Sequence, residues 1–415
     1  MKRKPSILVI FLSVFIDLVG FGIVLPLLPG FAENDFRPEF SGKGLIIGCI
    51  IGSFSAMQFF FAPAWGRLSD RIGRRPVMLV SNLGAAGSYC LFAVASGQSG
   101  TMGLVWLLVS RVFAGICGAN LSVASAYIAD ISPPEIRSKR MGLIGMAFGL
   151  GFIFGPAIGA FAMGAWGRTA PGWVAAGFCF ANFVLGWFIL GESREPSSAP
   201  YVPRPKFTQW SHTLAQPKLG ALVVVFFFAT FCFTCFEATF PLLARDKLGF
   251  GAQGQDHRIG YLFTYCGLVT ALLQGGGIGK LVKKLGEPKL IFISLIIFAV
   301  GLAALPYQTS LTGLLVVLGL LAIGSGLNRP PVFGMISLNS PANEQGANLG
   351  VAQSFGSLAR IFSPMFATTL FFVKPQLPYV ICGGFSLLTA FFAWQYLCRG
   401  SAPSPAQTAT PGKPI

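Results

Sequence analysis

The chain has 415 residues, of which 53% are hydrophobic and only 11% charged, with a formal net charge of +16. A water-soluble domain carries about 25% charged residues, so this composition excludes a soluble globular protein. The positive balance alone would suit a nucleic-acid binder, but the placement of its lysines and arginines excludes that too.

Twelve apolar runs follow one another at roughly 6–28, 44–65, 76–96, 101–129, 140–165, 170–191, 219–243, 258–279, 289–307, 311–338, 347–373 and 376–397. Each is close to the ~20 residues that cross a bilayer as a helix, and the alternating strands of a membrane barrel are absent. They are numbered here as spans 1 to 12. Span 1, in "MKRKPSILVIFLSVFIDLVGFGIVLPLLP", is too long for the apolar core of a secretion signal, lacks a small-residue cleavage site and contains Asp17. With the N-terminus inside, inner segments hold 20 of the 30 Lys and Arg, outer loops seven and the spans three. This positive-inside bias predicts that both termini are cytoplasmic, and it makes the basic charge a topology signal.

Between spans 2 and 3, "GRLSDRIGRRPVML" packs Arg67, Asp70, Arg71, Arg74 and Arg75 into a short turn beside Gly66 and Gly73. Arg and Lys hold topology, but Asp70 adds nothing to that, and the glycines suggest a tight, specific joint. Span 4 carries Arg111 in "SRVFAGICGA" and ends at Asp130. The one glycosylation match, Asn120-Leu121-Ser122, falls inside span 4 and should be silent. In span 5, "GLGFIFGPAIGA" places Gly151, Gly155 and Gly159 four apart on one face, where they admit a close neighbour. Pro156 beside them removes a helical hydrogen bond and permits a bend.

The segment "GESREPSSAPYVPRPKFTQWSHTLAQPK" has five prolines and reads as an extended cytoplasmic linker. The predicted organisation is therefore a six-helix bundle over 1–191, a linker over 192–218, a second six-helix bundle over 219–397 and a disordered tail over 398–415. The halves repeat. "GRLSDRIGRRPVM" returns as "GKLVKKLGEPKLI" 213 residues later, and "LPLLPGF" at Leu25 returns as "FPLLARD" at an offset of 215. "SPPEIRSKRMG" returns as "SPANEQGANLG", and Gly155-Pro156 as Ser363-Pro364, both at 208. Parallel six-helix repeats mark carriers that rock one half against the other.

Five charges lie inside spans: Asp17, Arg111, Glu237, Arg329 and Arg360. Each costs ~2.5–3.5 kcal/mol at the bilayer centre, so together they must pair or face water. One reading is functional; the other is structural pairing, Asp17 with Arg111 and Glu237 with Arg329 or Arg360. At 1.5 Å rise per residue, Glu237 and Arg329 differ by roughly 15 Å or more in depth, which leaves Arg360 the closer candidate for Glu237. Cys232 and Cys235 form a mid-helix CxxC, read as two buried thiols rather than a redox or metal pair. The two histidines, His212 and His257, fall in predicted loops, so no metal site is expected.

These motifs resemble the major facilitator superfamily, in its twelve-helix drug:proton antiporter branch with the tetracycline-efflux-like transporters. The loop 2–3 stretch, "SRVFAGICGA", the span 5 motif and "FIDLVGFGIVLPLLP" each match. The resemblance implies an all-α membrane protein of twelve transmembrane helices in two pseudo-symmetric six-helix bundles, with spans 1, 4, 7 and 10 lining a central cavity. It implies that Asp70 meets the start of span 11, that an arginine of the turn meets Asp130, and that the cluster of Gly66, Asp70, Arg71, Gly73, Arg74, Arg75 and Asp130 latches the outward-facing state. The second copy lacks the aspartate, since Val282 aligns near it.

The function so expected is proton-coupled export of a small, amphiphilic, drug-like molecule by alternating access. Asp17 is the proton carrier, Arg111 its tuning partner, and Glu237, Arg329 and Arg360 substrate or secondary coupling groups. An organic-anion or metabolite exporter, or a non-transporting membrane sensor, are the alternatives. No HxxxH, Walker or GxSxG pattern supports an enzyme. No cofactor and no nucleic acid are expected. The partners are the substrate, protons and the lipid bilayer, for a monomer in the bacterial inner (cytoplasmic) membrane.

Overall fold

The computed structural model describes residues 5–24, 27, 43–118, 121–194, 206–248, 257–341 and 343–399. The described residues are helical almost throughout, with no strand among them. Eleven spans are long and apolar enough to cross a membrane, and span 2, Lys43–Ile72, is a further helix of 30 residues. The protein is an all-α membrane protein of twelve transmembrane helices in two pseudo-symmetric six-helix bundles. Its outer surface agrees: Phe372 is 81% exposed, and Phe161, Leu388 and Trp166 are 67% exposed each, which suits lipid and not water.

The charged stretches between spans 2 and 3 and between spans 8 and 9 are helix ends, not loops. Span 2 runs helical to Ile72, and span 3, Arg74–Gly97, starts after Gly73 alone. Arg, Leu and Ile keep a helix going once the apolar run has ended. Gly73 turns the chain at φ 100, a left-handed value that only glycine takes without strain. The second half repeats this device. Residues 278–285 end at Gly286, φ 74, and span 9, Glu287–Ala304, begins at once.

The described parts of span 4 are the helices Gly100–Cys117 and Leu121–Asp130. Carbonyls at the end of Gly100–Cys117 take side-chain donors from spans 2 and 3. Trp65 Nε1 donates to Ile116 O at 2.6 Å, Gln58 Nε2 to Gly118 O at 3.0 Å, and Ser81 Oγ to Cys117 O. Asn120, of the glycosylation match, lies outside the described residues. Span 5 is Pro134–Trp166, span 6 Ala170–Ile189 and span 7 Pro217–Leu248. Span 8 starts at His257, so that histidine heads a helix rather than a loop, and a five-residue π-helical turn, Leu273–Gly277, interrupts the span. Spans 10, 11 and 12 are Leu311–Asn339, Gln345–Val373 and Leu377–Ala393. Cys232 and Cys235 are buried, their thiols donating to the carbonyls of Cys382 and Ser363.

The linker departs from an extended chain. Lys206–Ala215 is a helix, here the linker helix, and it contains His212. Gln209 and Thr213, one turn apart, donate to Asn348 Oδ1 of span 11 at 3.1 and 2.8 Å. Trp210 rests on Phe59 of span 2, ring centroids 4.7 Å apart, so the docked face holds the helix that local sequence did not suggest. Residues 195–205 of the linker, 400–415 of the tail and most of the "LPLLPGF" repeat lie outside the described residues.

Candidate functional site

The end of the molecule bearing the Gly73 and Gly286 turns is called the basic end here. At it, Asp70 on the last turn of span 2 is 3% exposed. Its carboxylate accepts from two backbone amides that open span 11, Gly346 N at 3.1 Å and Ala347 N at 2.9 Å. Those donors are the orphans of a helix N-terminus, whose dipole favours an anion. Arg74, 0% exposed, pairs with Asp70 Oδ1 at 2.7 Å and with Asp130 Oδ2 at 2.9 Å. It also donates to Ser69 Oγ at 2.7 Å.

Three residues after span 6 complete the cluster. Glu192 accepts from the backbone N–H of Arg74 at 2.9 Å and of Arg75 at 3.1 Å, capping span 3 from 117 or more positions away. Ser193 Oγ donates to Asp130 at 3.1 Å, and Arg194 pairs with Asp70 at 3.1 Å. Arg75 donates to Trp187 O at 2.9 Å and lies against its ring. Arg71 is exposed and stands outside the ion-paired group. Sequence reading missed Glu192 and Arg194. The signal was there, a Glu and an Arg directly after an apolar span, but linker composition masked it.

Glycines let the halves meet here. A Cβ on Gly66 would collide with Gly346 O of span 11, and one on Gly350 would lie 2.7 Å from Ala62 O. Ser354 Oγ donates to Phe59 O, and Ser357 Oγ to Gln58 Oε1 at 3.3 Å, along the same seam. The opposite seam joins span 5 to span 8. Gly142, Gly145 and Gly149 face Gln274 and Gly267, with Gln274 Oε1 where a Gly145 Cβ would be. Arg137 Nη1 donates to Ser337 Oγ at 3.2 Å, and Ser138 Oγ to Glu287 Oε1 at 3.1 Å. The contacts at Gly66, Gly346, Arg137, Ser138 and Gly142 lie at the basic end, and those of Gln58 with Ser357 and of Gly149 with Gly267 carry the seams to mid-span, so the halves are closed from the basic end inward.

The motif glycines of span 5 do other work. Cβ atoms on Gly151, Gly155 and Gly159 would lie 2.9, 2.5 and 2.7 Å from Leu18, Gly22 and Ile23 of span 1, within the same half, and Pro156 sits in this row. Span 5 thus carries two glycine faces, one inside its bundle and one toward the other.

The charges within spans are held apart from the cluster. Asp17 Oδ1 accepts from Asn182 Nδ2 at 3.4 Å and lies 3.8 Å from Cys179 Sγ, both on span 6. Arg111 is 1% exposed, its guanidinium 5.8 Å from the Tyr89 ring centroid and 5.5 Å from that of Phe92 on span 3. Its Nε and Nη2 have no hydrogen-bond partner, and it forms no ion pair among the described residues. Glu237 and Arg360, each half-buried, feel one another's charge without a contact within 4 Å among the described residues. The positive charge of Arg360 also reaches Arg329. Arg329 in turn lies among Phe148, Phe226 and Phe333.

Known proteins share this plan. The family model described as Major Facilitator Superfamily matches residues 10–277 and 252–414. The class E tetracycline resistance protein of Escherichia coli is 33% identical over 366 residues, 87% of this chain and 86% of the relative. Mouse (Mus musculus) major facilitator superfamily domain-containing protein 10 is 28% identical over 95% of this chain and 93% of its own. The crystal structure of the human organic anion transporter MFSD10 (TETRAN) superposes with a TM-score of 0.80 at 26% identity, covering 94% of this chain and 100% of that one.

Proposed function

Because the chain belongs to the major facilitator superfamily, we propose that it is a proton-coupled exporter of small amphiphilic organic molecules. The halves over 1–191 and 219–397 rock about the cavity between them, with 192–218 as their tether. Both termini are cytoplasmic in this reading, so the basic end faces the cytoplasm and the described conformation is closed on that side. It acts as a monomer in the inner membrane.

The observation that carries the reading is the joint at Asp70. One carboxylate of the first half is held by Arg74 and Arg194 and grips the N-terminus of span 11 in the second. Such a joint has two discrete arrangements, made and broken, as alternating access requires. Behind it lie ionisable groups that the membrane would reject unless they work. Asp17 loads and releases the proton, with Arg111 setting the local field; Glu237, Arg329 and Arg360 meet the substrate. Relatives named for tetracycline resistance and for organic anion transport support a drug-like or anionic cargo.

Proteoliposomes carrying an imposed pH gradient test this. The wild type should accumulate aromatic drug-like compounds against their gradient, and Asp17→Asn should lose gradient-driven movement while keeping equilibrium binding. Full gradient-driven transport by Asp17→Asn would remove Asp17 from coupling. Ligand binding without any transport by the wild type would make the protein a sensor.

A further inference from the structure

Arg329 lies on span 10, ten residues before its end at Asn339. Its guanidinium carbon is 4.9 Å from the ring centroid of Phe148 on span 5, 5.2 Å from Phe333 on span 10 and 5.8 Å from Phe226 on span 7. Phe226 and Phe333 stand edge to face, centroids 4.9 Å apart. Among the described residues the guanidinium has one protein acceptor, Gln353 Oε1 of span 11, at 3.3 Å from Nη2. Gln353 is 0% exposed, and its Nε2 has no partner. Among the described residues no carboxylate lies within 4 Å of Arg329, and the charge of Arg360 that reaches it is of like sign.

The arrangement is costly as it stands. Arg329 is half-buried, and a guanidinium that has given up much of its water without gaining a counter-charge is unfavourable, with ring faces offsetting only part of that. A buried amide N–H₂ with no acceptor adds to the cost. Both deficits are cured by the same thing, an anion with two oxygens. A carboxylate takes the planar guanidinium in a fork and has a lone pair left for Gln353 Nε2. The three rings offer flat apolar faces to whatever carries the carboxylate.

We propose that Arg329, Gln353 and the Phe148–Phe226–Phe333 cage form an anion subsite that takes the carboxylate of an aromatic, amphiphilic substrate. The proposal rests on the reading of this protein as a carrier, and adds to it the charge class of the cargo and the residues that select it. Phe148 comes from the first half and the other four residues from the second, so the subsite is complete only while the halves are closed at the basic end. Opening that end withdraws span 5 from span 10, removes one wall of the cage and exposes the half-buried Arg329 further.

Three probes with one ring system and different charge test it: naphthoate, naphthamide and naphthylmethylammonium, titrated against purified full-length protein without a gradient. Wild type should bind naphthoate tighter than naphthamide, by about tenfold or more. Arg329→Met should erase that preference, losing far more affinity for naphthoate than for naphthamide. Gln353→Leu should weaken naphthoate by about threefold to tenfold. Arg329→Lys, which keeps the charge and loses the fork, should fall between. Ligand-free Arg329→Met should melt no lower than wild type, because an unneutralised, half-buried charge is gone. The proposal fails if wild type binds naphthoate no tighter than naphthamide or not at all. It fails equally if Arg329→Met loses all three probes together and melts lower, which is the signature of a structural arginine. Inorganic sulfate displacing naphthoate from wild type at equal concentration would overturn the aromatic part. A wild type that binds naphthoate through Arg329 yet moves nothing under a pH gradient keeps this subsite and loses the carrier reading. Gradient-driven transport with naphthoate binding unchanged in Arg329→Met does the reverse.

Discussion

Asp70 shows how much one side chain can hold. Its two oxygens serve two guanidinium groups and two backbone amides at once, in a site closed to water. Asn in its place keeps one acceptor and turns an N–H₂ toward Arg74, leaving a buried cation short of charge. The Asp70→Asn protein should lose about 3–5 kcal/mol from this joint. In a background without the nine native cysteines, a cysteine at Ser354, which lies in the span 2–11 seam, should then react faster with maleimide. Unchanged labelling with normal transport would reduce the cluster to a topology signal. Glu192 offers a milder case. It caps two backbone amides of span 3 from outside, so Glu192→Gln should cost about 1 kcal/mol, read as a small drop in melting temperature with transport retained.

At the level of elements, span 5 is the one to disturb, since its two glycine faces make separate predictions. Ala at Gly155 would place a Cβ 2.5 Å from Gly22 C inside the first bundle, so Gly155→Ala should lower thermal stability by about 1–3 kcal/mol. Ala at Gly145 would meet Gln274 on the π-helical turn of span 8, across the seam between halves. There the halves can separate to relieve the clash, so Gly145→Ala should melt nearly as wild type but transport slowly and label readily at the basic end. Equal melting losses in the two variants would contradict this division. The linker helix hangs on Asn348, which accepts from Gln209 and Thr213 and donates to Ser340 Oγ at 3.0 Å. Asn348→Ala strands those donors at a cost of about 1–3 kcal/mol, and the linker should become a better protease target in a limited-digestion time course.

For the whole molecule, the test is whether the two halves must part. A Cβ built on Gly149 would lie 3.3 Å from Ala271 Cβ on span 8, near the 3.5–4.5 Å that a disulfide spans. The pair Gly149→Cys and Ala271→Cys, in the cysteine-free background, should cross-link on oxidation and halt transport, and reductant should restore it. Undiminished transport by the cross-linked protein would exclude rocking at this seam.

The sequence by itself determined the number and order of the spans, because apolar length answers directly to bilayer thickness. It also determined the duplication and the interest of Asp70, since a lone acid among topology-setting arginines has no other use there. The structure decided everything that depends on which way a helix faces. A span that is apolar all round carries little periodic signal about its buried side. Hence Arg74 rather than Arg71 entering the ion-paired group, and Glu192 and Arg194 joining it from more than a hundred residues away in sequence, were invisible in the string of residues. The second glycine face of span 5 was written as plainly as the first, yet only packing tells which neighbour each admits. The cage around Arg329 draws on four spans from both halves, and no local spacing records that meeting. The linker helix formed against a prediction of extended chain because Asn348 and Phe59 give it partners that its own residues do not announce.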